Sequence, residues 1–236
     1  MAPSGLPSSL LDALRQAREW GFLGEVPLET HIEHALGFAD AAGWVPEPDL
    51  KVPGPGPPPA MLTEGPWLDL GSGGGIPGLV LAHRWPDREA VLLDSNERRT
   101  AFLSQVVGSQ GWGDRVRVVT GRAEVVGRAE GRRGAFSLVV ARSFGPPPVT
   151  AECAAPFLRR GGVLIVSEPP GSDGEAELDP DRWPEEGLHT VGLARLGLRR
   201  GQFGYAVLRQ TVTCPERFPR RVGVPGKRPI YRTGPG

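Results

Sequence analysis

The chain is poor in cysteine, poor in lysine and without net charge. Cys153 and Cys214 are its only thiols in 236 residues, too few for a disulfide framework. No stretch approaches the ~18–20 consecutive apolar residues of a membrane-spanning helix. The first twenty residues show no basic segment followed by an apolar one, so no secretory leader is expected. These absences make a soluble cytoplasmic protein the expectation. Lys+Arg and Asp+Glu are 27 each, and only Lys51 and Lys227 are lysines. Arginine in excess of lysine suits phosphate recognition, but a GC-rich genome favouring Arg, Gly, Pro and Ala codons accounts for it as well. What is present is a hydrophobic share of 39%, enough for a sizeable core in one large domain or one domain with a subdomain. Gly 34 and Pro 26 make up about a quarter of the chain, much of it in loops such as 53–59.

Charge is unevenly spread. Residues 1–50 hold eight acids and two arginines, net −6, and 168–186 hold eight acids and one arginine, net −7. Residues 195–232 hold nine arginines, Lys227 and Glu216, net +9. A basic C-terminal end is compatible with a polyanionic partner. It is equally compatible with internal pairing against the acidic segments.

Leu10, Leu11, Leu14 and Ala17 recur at helical spacing behind Ser8 or Ser9. Thr30-His31-Ile32-Glu33 reads as a capping box opening a second helix, with Gly43 near its end. The stretch 53–65 then reads as a Pro/Gly-rich linker, dividing a helical N-terminal region (1–52) from a main domain (66–214) and a basic tail (215–236). Within the main domain, short apolar runs at 67–70, 90–94, 116–119, 136–140 and 163–166 alternate with helical patterns at 77–83, 97–110, 123–130 and 149–158. Residues 189–193 and 205–208 suggest a closing antiparallel pair, and 168–186 a loop. This pattern predicts an α/β fold: a mostly parallel, doubly wound sheet covered on both faces, with a small helical N-terminal extension.

In such a sheet, ligands bind beyond the carboxyl ends of the strands, where three motifs fall. The first is the glycine-rich turn from Asp69 to Gly78, including Gly71, Gly73 and Ile76. The second is Asp94, closing the second strand, where a carboxylate can accept both hydroxyls of a ribose. The third is Gly121-Arg122-Ala123-Glu124, where an adenine edge would lie. Gly73 to Gly78 also satisfies the dinucleotide pattern G-x-G-x-x-G, a weak signal in so glycine-rich a chain. Asp69 points elsewhere, because an acid there suits an amino-acid ammonium and repels a pyrophosphate. The arrangement reads as an S-adenosyl-L-methionine site, with a dinucleotide site or a ligand-free turn as alternatives.

These residues also resemble a known family. The Asp69–Gly78 turn is similar to the D-x-G-[ST]-G-x-G-x-P-G motif of the RsmG (GidB) family, bacterial methyltransferases of small-subunit ribosomal RNA. Leu92-Leu93-Asp94-Ser95 with Arg98-Arg99 and Phe102-Leu103, the Arg122–Glu124 segment, Phe136 to Ser143, and Phe218 to Pro229 resemble further motifs of that family. His31-Ile32 sits where the family has a His-Ile or His-Leu pair. The resemblance covers most of 30–170 and returns at the C-terminus. It implies a class I (Rossmann-like) methyltransferase fold and methyl transfer from S-adenosyl-L-methionine to N7 of a guanosine in 16S rRNA, free or in a small-subunit precursor. The implied cofactor contacts are Gly71, Ile76, Ala123, Glu124 and Arg142, with Asp94 at the ribose; Arg142 is also the positioning candidate.

Three departures stand out: Ser167-Glu168-Pro169 replaces the family's Lys-Gly after the fifth strand, and neither its N-terminal Asn-Leu-Thr segment nor its Arg-His pair before the last strand is apparent. A different substrate, or a non-catalytic RNA- or protein-binding relative, are the alternatives. Arg220, Arg221, Lys227 and Arg228 are candidate RNA contacts, or else a solvated tail. His31 and His34 flank Glu33 but lack further ligands, so no metal is expected. A monomer is expected, Trp67 and Phe102 are assigned to the core, and Cys153 and Cys214 are read as ordinary residues.

Overall fold

A computed structural model describes residues 5–43, 65–169, 179–200 and 202–232. The expected linker (53–65), except its last residue, and the middle of the acidic segment (170–178) lie outside the described residues.

Seven strands form one sheet: β1 (Trp67–Leu70), β2 (Ala90–Asp94), β3 (Val116–Thr120), β4 (Phe136–Ala141), β5 (Leu158–Ser167), β6 (Leu193–Arg200) and β7 (Gly204–Gln210). Their order is β3-β2-β1-β4-β5-β7-β6. The first five run parallel. β7 is antiparallel to β5 and to β6. Every residue of β1, β2 and β4 is buried, which is why their sequences are almost unbroken apolar runs. Side chains alternate between faces: Trp67, Leu92, Leu138 and Val140 enter one core, Leu68, Leu70, Val91 and Val139 the other.

The first core lies under the helices α1 (Ser8–Glu19), α2 (Leu28–Gly43), α3 (Gly78–Arg84) and α4 (Glu97–Ser109). The second is covered by α5 (Ala123–Val126), α6 (Pro147–Ala154) and α7 (Glu185–His189), and by Phe218 beyond β7. The N-terminal helices are integral to the main core. Leu10, Leu14, Ala35 and Phe38 are fully buried, each large side chain being worth about 1.5–3 kcal/mol. The Phe38 and Tyr205 rings pack edge to face at 4.9 Å, and the Tyr205 hydroxyl donates to the His34 carbonyl (2.7 Å).

Several boundaries differ from the sequence reading. α2 begins at Leu28, two residues before Thr30, because Leu28 joins the core and the His31 amide already donates to the Pro27 carbonyl. The expected capping box is therefore interior to the helix. β5 starts at Leu158, not Val163, since Gly161 (φ 82°) and a register shift against β4 carry the pairing through the two glycines. The closing pair is β6 with β7, and β6 lies at 193–200. Residues 185–189 are helix α7, because Leu188 and Val191 must reach the second core. The segment expected to be a loop also contains a short 3-10 turn at Pro180–Arg182.

Candidate functional site

The carboxyl ends of β1, β2 and β4 converge on the glycine-rich turn. Its left-handed backbone at Gly71, Gly73 and Gly75 (φ 78°, 54° and 95°) folds the chain back over the strand ends. The Gly71 and Ser72 amides donate to the Leu93 carbonyl (2.8 and 3.0 Å), and the Gly73 amide donates to Asp94 Oδ2 (2.8 Å). Asp94 Oδ1 accepts the Asn96 amide (2.8 Å), and Asn96 caps α4 by accepting from the Arg98 and Arg99 amides. Asp94 is thus held rigidly between the turn and the start of α4, with Arg99 at 3.9 Å.

Two crevices flank this turn. One, of about 250 Å³, is bounded by Gly71, Asp94, Ala123, Glu124 and Phe144. The other, of about 210 Å³, is bounded by Gly24, His31, Gly73, Ile76 and Arg142. Gly71, Arg99 and Ser143 line both. A Cβ at Gly71 would stand 2.8 Å from the Phe144 ring, and one at Gly74 would strike Leu23 and the Phe22 carbonyl at 2.8–2.9 Å. The glycines therefore let Phe144 and the segment after α1 close on the turn from two sides.

Asp69 lies beneath the turn and is fully buried. Neither carboxylate oxygen accepts a hydrogen bond of ordinary geometry. Burial pushes its carboxyl up to about 7. Nearby Asp94 adds to this, while Ser72, Gly78 and Arg142 oppose it. A buried acid so weakly compensated is costly and suits a cation above the turn. Glu124 is also mostly buried; burial opposes its charge, but the Gly223 amide (3.1 Å), its own amide and Arg122 prevail and hold its pKa low.

Arg142, just after β4, donates to His31 Nδ1 (2.8 Å), and His31 Nε2 faces the Gly24 carbonyl (3.1 Å). Nε2 must then carry the proton, leaving Nδ1 to accept. Burial is the main force lowering the pKa of His31. Ser143, which follows, is the one non-glycine residue among the described residues with left-handed backbone (φ 52°), a strain that concentrates at functional sites. A third and larger cavity, about 500 Å³, opens on the other side of Arg142, Ser143 and Phe144.

The structure thus brings Gly71, Gly73, Ile76, Asp94, Ala123, Glu124 and Arg142 around one turn, with Asp69 below it. It does not bring the basic tail there as four open cations. Arg220 makes a two-pronged contact with the fully buried Glu152: Nε and the backbone amide reach Oε1 (2.8 and 2.9 Å) and Nη2 pairs with Oε2. Nη2 also donates to the Arg228 carbonyl (2.6 Å). Arg220, expected as a phosphate contact, thus has its Nε and Nη2 engaged within the chain, and its main observed partner is Glu152. Arg221, Lys227 and Arg228 are exposed. Phe144 and Gly24 were not among the sequence candidates, since nothing in their spacing distinguishes them from loop residues, and Ser143 entered only as the end of the 136–143 segment.

Cys153 and Cys214 are buried free thiols, and burial pushes Cys214 up to about 11. Among the described residues no helix is long and apolar enough to cross a membrane.

The strand order, the reversed β7 and a glycine turn facing an acid at the end of β2 define the fold of a class I S-adenosylmethionine-dependent methyltransferase. Solved structures share this fold at low sequence identity. Cofactor-bound Rv0187 from MTB aligns with TM-score 0.56 and 20% identity, over 89% of this chain and 93% of the other. A putative O-methyltransferase from Klebsiella pneumoniae gives 0.56 and 16%, with the same coverage. Residues 60–190 match the GidB family, described as rRNA small subunit methyltransferase G. Proteins of that name from Prochlorococcus marinus (strain MIT 9303) and Thermotoga sp. (strain RQ2) are 37% and 36% identical, covering 69% and 71% of this chain and 67% and 72% of theirs. The chain belongs to the ribosomal RNA small subunit methyltransferase G family.

Proposed function

We propose that the protein transfers a methyl group from S-adenosyl-L-methionine to N7 of a guanosine in 16S rRNA, on the free RNA or a small-subunit precursor in the cytoplasm. The observation that carries this reading is the turn at 71–75 closing on a rigidly held Asp94, in a chain of this family. The residues fit the cofactor in three respects: Asp69 is a buried carboxylate beneath the turn with only weak partners in Ser72 and Gly78, Gly71 leaves room that a side chain would fill, and Asp94 is held at the crevice. Asp69 provides the negative field for an ammonium group, Asp94 the acceptor for ribose hydroxyls, and Ala123 and Glu124 the wall along the adenine.

When bound, the cofactor supplies a methyl carbon already activated by its sulfonium. Guanine N7 offers a lone pair and carries no proton, so the chain needs no general base. What remains for its residues is positioning and charge. Arg142, held by His31 between the cofactor crevices and the larger cavity, is placed to orient the base. Exposed Arg221, Lys227 and Arg228 add sequence-independent attraction for RNA phosphates.

The test is incubation of small subunits and naked 16S rRNA, both from a strain lacking this protein, with labelled cofactor, followed by mass-spectrometric mapping. One new N7-methylguanosine is the expected result. Label at another base or atom, or none, would overturn the assignment.

A further inference from the structure

The cavity of about 500 Å³ lies outside the cofactor crevices but shares Arg142, Ser143 and Phe144 with them. We propose that this cavity receives the target nucleotide, turned out of its RNA stack, and that Arg182, positioned by Glu168, grips that nucleotide's phosphate. The proposal rests on the functional reading above and adds to it a substrate pocket and its anchoring cation.

The lining suits a base. The His34 ring stacks on Phe203 (centroids 4.4 Å, interplanar 7°) and on Phe38 (5.9 Å, 19°), and Phe203 and Phe144 border the cavity together with the edge of this stack. Aromatic faces of this kind are what unstacked bases pack against. Burial drives His34 down to about 3, so its imidazole is neutral, and its Nε2 is buried with no partner. The cavity therefore offers a neutral, largely aromatic wall.

Glu168 stands where sequence alone suggests repulsion of RNA. Its side chain is 1% exposed, and its oxygens are engaged: Oε2 accepts from Arg182 Nε (2.6 Å) and Oε1 from Trp183 Nε1 (2.5 Å). The carboxylate is thus neutralised from within and fixes the turn 180–183 as a cavity wall. Arg182 is bound to it through Nε alone. Among the described residues its Nη atoms have no partner, its side chain is about one-third exposed, and it lines the cavity. A guanidinium with its outer donors open is the fork that fits phosphate oxygens. Arg142, the other cation lining the cavity, is tied to His31.

The test uses the full chain saturated with S-adenosylhomocysteine and measures guanosine and its 5′- and 3′-monophosphates by saturation-transfer NMR and calorimetry. One of the monophosphates should bind about tenfold tighter than guanosine, the gain expected of a charge-assisted contact. Arg182→Gln should reduce that nucleotide to the level of guanosine while leaving guanosine and S-adenosylhomocysteine affinities unchanged. Arg182→Lys, which keeps charge but not the fork, should retain an intermediate advantage. Glu168→Gln should also reduce the advantage, because Arg182 is no longer held. Equal binding of nucleoside and nucleotides, no binding of either, or an advantage that survives Arg182→Gln would overturn the proposal. Methyl transfer by the wild type to rRNA is scored separately. Its failure beside the expected nucleotide pattern removes the functional reading alone, and its success beside equal binding removes the pocket proposal alone.

Discussion

Replacing Asp69 by asparagine should stabilise the cofactor-free protein above neutrality and destabilise it in acid. The carboxyl is fully buried, and its pKa rises from an ordinary 3.8 to about 7. At about 1.36 kcal/mol per pH unit, that interval amounts to about 4 kcal/mol. Because the folded-state pKa is raised, the native chain keeps a proton that the unfolded chain has already lost. Stability therefore falls as pH rises between these two values, and the penalty is absent below 3.8 and complete above about 7. Asparagine has the same shape and no charge, but its buried amide costs about 1–3 kcal/mol at every pH if left unbonded. The variant should be less stable than wild type near pH 4 and about 1–3 kcal/mol more stable near pH 8. Urea denaturation at a series of pH values between these limits measures the difference directly. Saturating S-adenosylmethionine should flatten the wild-type slope, since an ammonium compensates the carboxylate, and should bind the variant more weakly. A stability difference that does not change with pH would refute the reasoning.

Arg220→Ala should cost about 3–5 kcal/mol, because it strands the fully buried Glu152 carboxylate, whereas exposed Arg221→Ala should stay within about 0.5 kcal/mol; denaturant titration of both variants checks this. Arg221→Ala should instead weaken RNA binding for all sequences alike and reduce the salt slope by about one, as read by anisotropy across salt concentrations. Gly71→Ala places a side chain at φ 78° and 2.8 Å from Phe144; it should destabilise the fold by about 1–2 kcal/mol and abolish cofactor affinity in calorimetry. His31→Leu removes the acceptor that holds Arg142; kcat/KM on rRNA should fall about tenfold to a hundredfold, with cofactor affinity changed far less.

Much of the fold could be read locally. The strands β1, β2 and β4 and the second half of β5 are apolar runs because both faces of the sheet are covered there, whereas β3, at the sheet edge, carries the exposed Arg117 and Thr120. The turn at 69–78 and the acid at 94 were equally plain, since left-handed backbone demands glycine and a strand-end carboxylate has few other uses. Proximity across long separations was not legible. Sequence counts Arg220 as one more cation in a basic tail; only packing shows Glu152, 68 positions away, buried against it. Sequence gives Glu168 as a negative charge facing RNA; only the fold supplies Arg182 and Trp183 to neutralise it. Nothing in His31 alone announces Arg142, 111 residues on. Periodicity and turn chemistry act over a few residues, so the chain by itself determined which elements form and where the glycine turn lies. Which charges remain open to a substrate depends on desolvation and pairing between distant segments, and the tertiary structure alone decided that.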